Sequence, residues 1–176
     1  MKKTRIYTLC RVALLCAAAI ALSVLEGVFT PVLPPGAKAG LSNTVVMLAA
    51  SLFGLFHALA VVLFKAVFAL LTRGTVSAFL SLVGGLSSAL LLFLLFRRAR
   101  RLGVLGISTL GAVTHSLFQL LGSYLLYGAA IFAYAPLLLL LSLPSGLVTA
   151  ALLRAVTPLF EKFPKQRKET NDEGSL

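Results

Sequence analysis

Glu26 and Lys65 are full charges standing inside long apolar runs, in the segments "ALSVLEGVF" and "VVLFKAVF". A charge left alone in hydrocarbon costs roughly 3 kcal/mol on insertion scales, so each must face a bundle interior, a partner or water. Two roles fit. Either the residues form an internal pair, or snorkel to an interface, and serve packing alone, or one or both line a pocket for a polar solute. A third run, "GAVTHSLFQL" at 111–120, sets His115 and Gln119 one helical turn apart on one face, with Thr114 beside them. Two hydrogen-bonding groups on a shared face within a membrane bridge helices or hold a ligand.

Catalytic chemistry is poorly provided for. Of the five Asp and Glu, all but Glu26 lie from Glu161 onward, namely Glu161, Glu169, Asp172 and Glu173. That excludes paired-carboxylate acid–base chemistry and a carboxylate-held magnesium from the apolar part of the chain. No G-x-x-x-x-G-K-[ST] phosphate loop occurs, so any ATP-driven step needs another chain to hydrolyse the ATP. His57, the second histidine, falls at a predicted cytoplasmic turn with no carboxylate to spare, and no metal site is expected. Cys10 and Cys16 are six residues apart and fall on different faces of one predicted helix, as free thiols rather than a disulfide framework. The expectation is a protein without enzymatic activity, cofactor or metal.

These residues belong to a chain of 176, of which 59% are hydrophobic and 12% charged, with no tryptophan and a mean hydropathy of +1.00. Soluble domains carry about a quarter charged residues, so this is an integral membrane protein. The net charge of +11 does not indicate nucleic acid, because the cations cluster at the ends of apolar segments. Lys2, Lys3, Arg5 and Arg11 form one group, Arg97, Arg98, Arg100 and Arg101 a second, and Arg154, Lys162, Lys165, Arg167 and Lys168 a third. The positive-inside rule puts all three in the cytoplasm.

The apolar segments predict six membrane helices: Leu9 to Phe29, Leu41 to about Phe56, Ala58 to Leu71, Val76 to Phe96, Val104 to Tyr127 and Ile131 to about Val156. The first follows a basic terminus and contains Ala19-Ile20-Ala21, but it runs on to a spanning length and reads as a helix rather than a cleaved leader. One helix over the second and third segments would be about 45 Å long, so a break is expected at Gly54 to His57. With both termini cytoplasmic, all of the sixteen Lys and Arg lie inside except Lys38 and Arg73, in outer loops, and the mid-helix Lys65. Tyr124, Tyr127 and Tyr134 gather at the proposed outer turn, as an interfacial belt does. Pro136 and Pro144-Ser145-Gly146 should kink or break the sixth helix. Residues 1–160 make one six-span domain; residues 161–176 make a polar, disordered cytoplasmic tail. No internal repeat is evident.

Between the first two helices stands "PVLPPGAKAGLSN", residues 31–43. Pro34-Pro35-Gly36 forces a turn, and Lys38, Ser42 and Asn43 then sit at the start of the second helix, whose free N–H groups favour anions. The stretch fits an outer lid or half of an anion-tolerant site, and equally a lysine anchoring a helix at the headgroups. Ala13, Ala17 and Ala21, spaced by four, form a small-residue stripe suited to close approach of another helix. Ser77, Ser81, Gly85 and Ser88 form a similar face on the fourth helix, suited to internal packing. Lys38, Lys65 and Arg73, with no acidic group near the outer loops, point to a solute that is anionic or has an anionic part.

"PGAKAGLSN" at 35–43 and "GAVTHSLFQL" at 111–120, in a chain of this length and span number, resemble the bacterial Gx transporter family, also described as heptaprenyl diphosphate synthase component I. The resemblance covers about residues 8 to 160, and that family is similar to the substrate-binding (S) components of energy-coupling factor transporters. It implies a six-helix S component in the cell membrane that captures a small solute from outside. A transmembrane coupling protein and cytoplasmic ATPase subunits would drive release inside. The resemblance further implies that Ala13, Ala17 and Ala21 dock on the coupling protein, and that Lys38, Asn43, His115 and Gln119 are the family's motif positions. The alternative is a membrane subunit associated with a polyprenyl diphosphate synthase. Such synthases hold magnesium with aspartate-rich motifs and the sole aspartate here is Asp172, so that subunit would be non-catalytic.

Overall fold

The computed structural model describes residues 2–29, 42–98 and 102–161. They are helical in the expected order: α1 (Lys2–Phe29), α2 (Asn43–Leu52), α3 (Leu55–Arg73), α4 (Thr75–Arg98), α5 (Val104–Tyr127), a 3-10 stretch (Ala129–Tyr134) and α6 (Ala135–Glu161). The break between α2 and α3 falls at Phe53 and Gly54, at the front edge of the expected turn. Gly54 has φ +88°, a left-handed conformation that costs glycine nothing and other residues much. Gly74, at φ +84°, ends α3 in the same way, its N–H donating to the Leu70 carbonyl at 3.2 Å.

Five of the helices are long and apolar enough to cross a membrane, and α2 is not. Its ten residues rise about 15 Å, half the thickness of a hydrocarbon core. The sequence pattern had placed this helix over Leu41 to about Phe56. The difference is physical: α2 does not need to cross, because it is packed on all sides. It touches α1, α3, α4, α5 and α6, while α3, α4, α5 and α6 pack successively against one another around it. Met47, Val46 and Ala49 on α2 are sealed in a core with Ala58, Val61 and Val62 of α3 and Ala89 and Leu92 of α4.

The outside of the bundle is oily and much of its inside is polar. Leu63, Phe64, Leu71, Leu125, Leu140 and Leu147 are exposed, whereas Ser23, Glu26, Asn43, Lys65, His115 and Gln119 are buried. Exposed apolar surface on this scale belongs against lipid, and the buried polar groups must satisfy one another within the bundle. The chain is therefore a multi-pass membrane helical bundle.

Two ends can be told apart. At one, the Arg11 guanidinium lies over the Phe53 ring, 5.4 Å from its centroid, so the α2–α3 turn sits beside the N-terminal part of α1. Arg97 and Arg98, at the last turn of α4, share this basic end. At the other, the start of α2 and the end of α3 meet the C-terminal part of α1. Tyr124, Tyr127 and Tyr134 are exposed at that opposite end, with Tyr124 stacked on Phe132 at 5.3 Å.

The sixth span, expected over Ile131 to about Val156, falls over Ala129–Ala155. Its first turns are the 3-10 stretch and the α-helix follows from Ala135; of the kink or break expected at Pro144, the break is corrected, since α6 runs on through it. Proline near a helix start loses no intrahelical bond, which accommodates Pro136. Within a membrane helix a single proline is tolerated where the freed carbonyl is satisfied locally. Lys38 and residues 162–176 lie outside the described residues.

Candidate functional site

The polar interior begins on α1. Ser23 and Glu26, three residues apart, share the face turned into the bundle, each 1% exposed. The Ser42 hydroxyl, at the entrance to α2, donates to Glu26 Oε2 at 3.0 Å. From α3, Lys65 reaches the same region, 2% exposed, and Glu26 and Arg73 are the charged groups acting on it. Arg73 folds back from the end of α3 and its Nη2 donates to the Ser23 carbonyl. Gly27 makes this possible: a Cβ there would stand 2.7 Å from Arg73 Nη2. The three charges that the sequence placed in separate segments thus form one cluster. Glu26 offsets one of its cations, leaving a positive surplus; the carboxylate belongs to the end that had been taken as free of acidic groups.

Small residues on α4 let the neighbouring helices come close. A Cβ on Gly85 would meet Val62 Cγ1 at 2.8 Å, and one on Gly84 would meet His115 Cε1 at 2.9 Å. The first contact fixes the register of α3 against α4. Lys65, one turn beyond Val62, therefore lies level with Ser81, one turn beyond Gly85. The second contact holds the His115 imidazole against the α4 backbone. Gln119 and Ser123 continue the His115 face by one and two turns, and all three are buried, with the Ser123 hydroxyl donating to the Gln119 carbonyl at 2.9 Å.

α2 links the two groups. Asn43, the residue after Ser42, accepts from the Ser88 hydroxyl of α4 at 3.1 Å. Thr44 Oγ1 lies 2.9 Å from Thr149 Oγ1 of α6; since Thr149 donates to the Ser145 carbonyl at 2.8 Å, Thr44 is the donor between them. One wall comes nearer still: Ser108 of α5 donates to the Gly146 carbonyl at 2.6 Å, and a Cβ on Gly146 would stand 2.9 Å from Thr109 Cα.

Of the candidate residues, Glu26, Lys65 and Arg73 are brought together, and Asn43, His115 and Gln119 lie across α2 and α4 from them in the same half of the bundle. Ala13, Ala17 and Ala21 are all exposed on α1, a small-residue strip left open to its surroundings. Sequence reasoning missed Ser23, Thr44, Ser145 and Thr149. The signal was present as hydroxyls recurring on one face, Ser142, Ser145 and Thr149 on α6, but serine and threonine are common in membrane helices and do not stand out singly. The arrangement can bind: it offers cations, a carboxylate, amide, imidazole and hydroxyl groups, most of them buried. It has no arrangement of paired acids or an activated nucleophile among the described residues.

A family model described as heptaprenyl diphosphate synthase component I matches residues 15–156, which takes in α2 to α5 whole, the second half of α1 and most of α6. No curated protein matches the chain, and no solved structure does.

Proposed function

We infer, from the premise that the chain belongs to the heptaprenyl diphosphate synthase component I family, that it is a solute-capturing membrane subunit, the S component of an energy-coupling factor type transporter. The observation that carries this is the gathering of Glu26, Lys65, Arg73, Asn43, His115 and Gln119 into the half of the bundle away from the basic end. The positive-inside rule turns that half outward, in a cell membrane. A bundle built only to pack gains nothing from so many buried polar groups, since each is costly to desolvate. The cationic surplus favours an anionic solute. Release inside would be driven by a separate coupling protein and ATPase subunits, with the exposed strip Ala13, Ala17 and Ala21 as the docking face.

The test is gentle purification of the tagged chain from its own host, with the co-purifying proteins identified by mass. A membrane coupling protein with two ATPases supports solute capture. The family's description favours one other outcome, a soluble prenyl diphosphate synthase in their place, and that result would make the chain a non-catalytic membrane partner of the synthase.

A further inference from the structure

Within the solute-capture reading, on which this rests, we propose that the buried start of α2 is the floor of the site and that the solute has two parts: one carboxylate, set on that floor beside Lys65, and an uncharged hydrogen-bonding portion received by Ser81 and Ser145.

The floor follows from the shortness of α2. Asn43, Thr44 and Val45, its first residues, are buried, so the helix begins inside the bundle rather than at its surface. The first N–H groups of a helix have no intrahelical acceptor and carry its positive pole. The N-cap residue itself does not cap them, because the Ser42 hydroxyl is turned to Glu26 instead. The walls supply the second observation. Ser88 meets Asn43, and Ser81 is on the same face of α4, two turns further toward the end away from the basic residues. Thr149 meets Thr44, and Ser145 is on the same face of α6, one turn further in that direction. Both serines therefore look over the start of α2 from different sides. Ser81 is 1% and Ser145 5% exposed, and neither hydroxyl oxygen has a hydrogen-bond partner. Buried hydroxyls left unsatisfied are costly, and a ligand set over the start of α2 would satisfy both.

Charge divides the same space. Among the described residues the α1–α3 side holds Glu26, Lys65 and Arg73, with a surplus of one positive charge, and Ser81 and Ser145 lie on α4 and α6. A surplus of one suits a monoanion, and hence a carboxylate in preference to a phosphate dianion. The uncharged part of the solute then reaches the hydroxyl walls.

The experiment measures affinities of four probes for the full chain in nanodiscs: N-acetyl-β-alanine, its neutral amide, hexanoate of similar length, and inorganic phosphate. N-acetyl-β-alanine is expected to bind about tenfold more tightly than each of the others, as one or two extra hydrogen bonds or one ion pair provide. The double variant Ser81→Ala/Ser145→Ala should bring N-acetyl-β-alanine down to the affinity of hexanoate while leaving hexanoate unchanged. Equal binding of N-acetyl-β-alanine and hexanoate by the wild type, tighter binding of phosphate, or no binding of any probe overturns the proposal, and these comparisons hold even if the double variant does not fold. Coupling subunits that co-purify with a chain showing no such preference would overturn this proposal and leave solute capture standing.

Discussion

Glu26→Gln removes a charge and almost nothing else. The amide has the shape of the carboxylate, and its oxygen still accepts the Ser42 hydroxyl that now reaches Oε2 at 3.0 Å. What is lost is the counter-charge to Lys65 and Arg73 in a region where Glu26 and Lys65 are 1% and 2% exposed. Breaking a buried pair from one side costs about 3 kcal/mol or more, because the remaining charge is left uncompensated. In a chain of this size that lowers the melting temperature by about 6–12 °C. Lys65→Met is expected to cost less than Glu26→Gln, since Arg73 remains beside Glu26. The double variant Glu26→Gln/Lys65→Met removes both charges and should be more stable than Glu26→Gln alone, with Arg73 left to the Ser23 carbonyl. Cys16 provides the assay: it is buried while Cys10 is exposed, so a thiol-reactive dye on a Cys10→Ser background reports unfolding. If the two substitutions add, with the double variant the least stable of the three, the charges do not act as a pair and the cluster described here is wrong.

Gly84→Ala should destabilise by about 1–3 kcal/mol, since the new methyl meets the His115 carbonyl at 3.0 Å as well as its ring, and the α5 backbone cannot rotate away. Gly27→Ala meets only the tip of Arg73, so its effect on thermal unfolding should stay below about 1 kcal/mol, offset by the better helix propensity of alanine. Thr149→Val strands the buried Thr44 hydroxyl and should cost about 1–3 kcal/mol in the same assay. Ala17→Leu lies on an exposed face; it should leave stability and solute binding intact while weakening co-purification of the coupling protein, and unchanged co-purification would refute the docking assignment.

The order of the helices and the break before α3 were legible because apolar runs, Gly54 and the basic clusters are strong signals in a membrane chain. Glu26 and Lys65 were legible for the same reason: a charge in hydrocarbon must have a destination, and a place inside the bundle was one of few open to them. The extent of α2 was not legible. Apolar residues continue past its end through Phe53, Leu55 and Phe56, and nothing local says that a helix wrapped by five others can stop halfway. Pro144 signals a break by local chemistry, yet α6 continues past it, because its place in the bundle outweighs one missing backbone bond. The hydroxyls of Ser81, Ser145 and Thr149 carry no individual signal, and their relation to α2 exists only once the register set by Gly84, Gly85 and Gly146 brings the helices together. Arg73 read as a loop cation; its return to the Ser23 carbonyl, fifty residues away in the sequence, uses space beside Gly27 that no local signal announces.

Native mass spectrometry of the chain, released gently from membranes of its own host, tests solute capture most directly. The account predicts a small anionic molecule bound one to one in the wild type and lost in Lys65→Met/Glu26→Gln, whose bundle remains folded. A wild-type chain that carries no small molecule, isolated together with a soluble prenyl synthase, would contradict it.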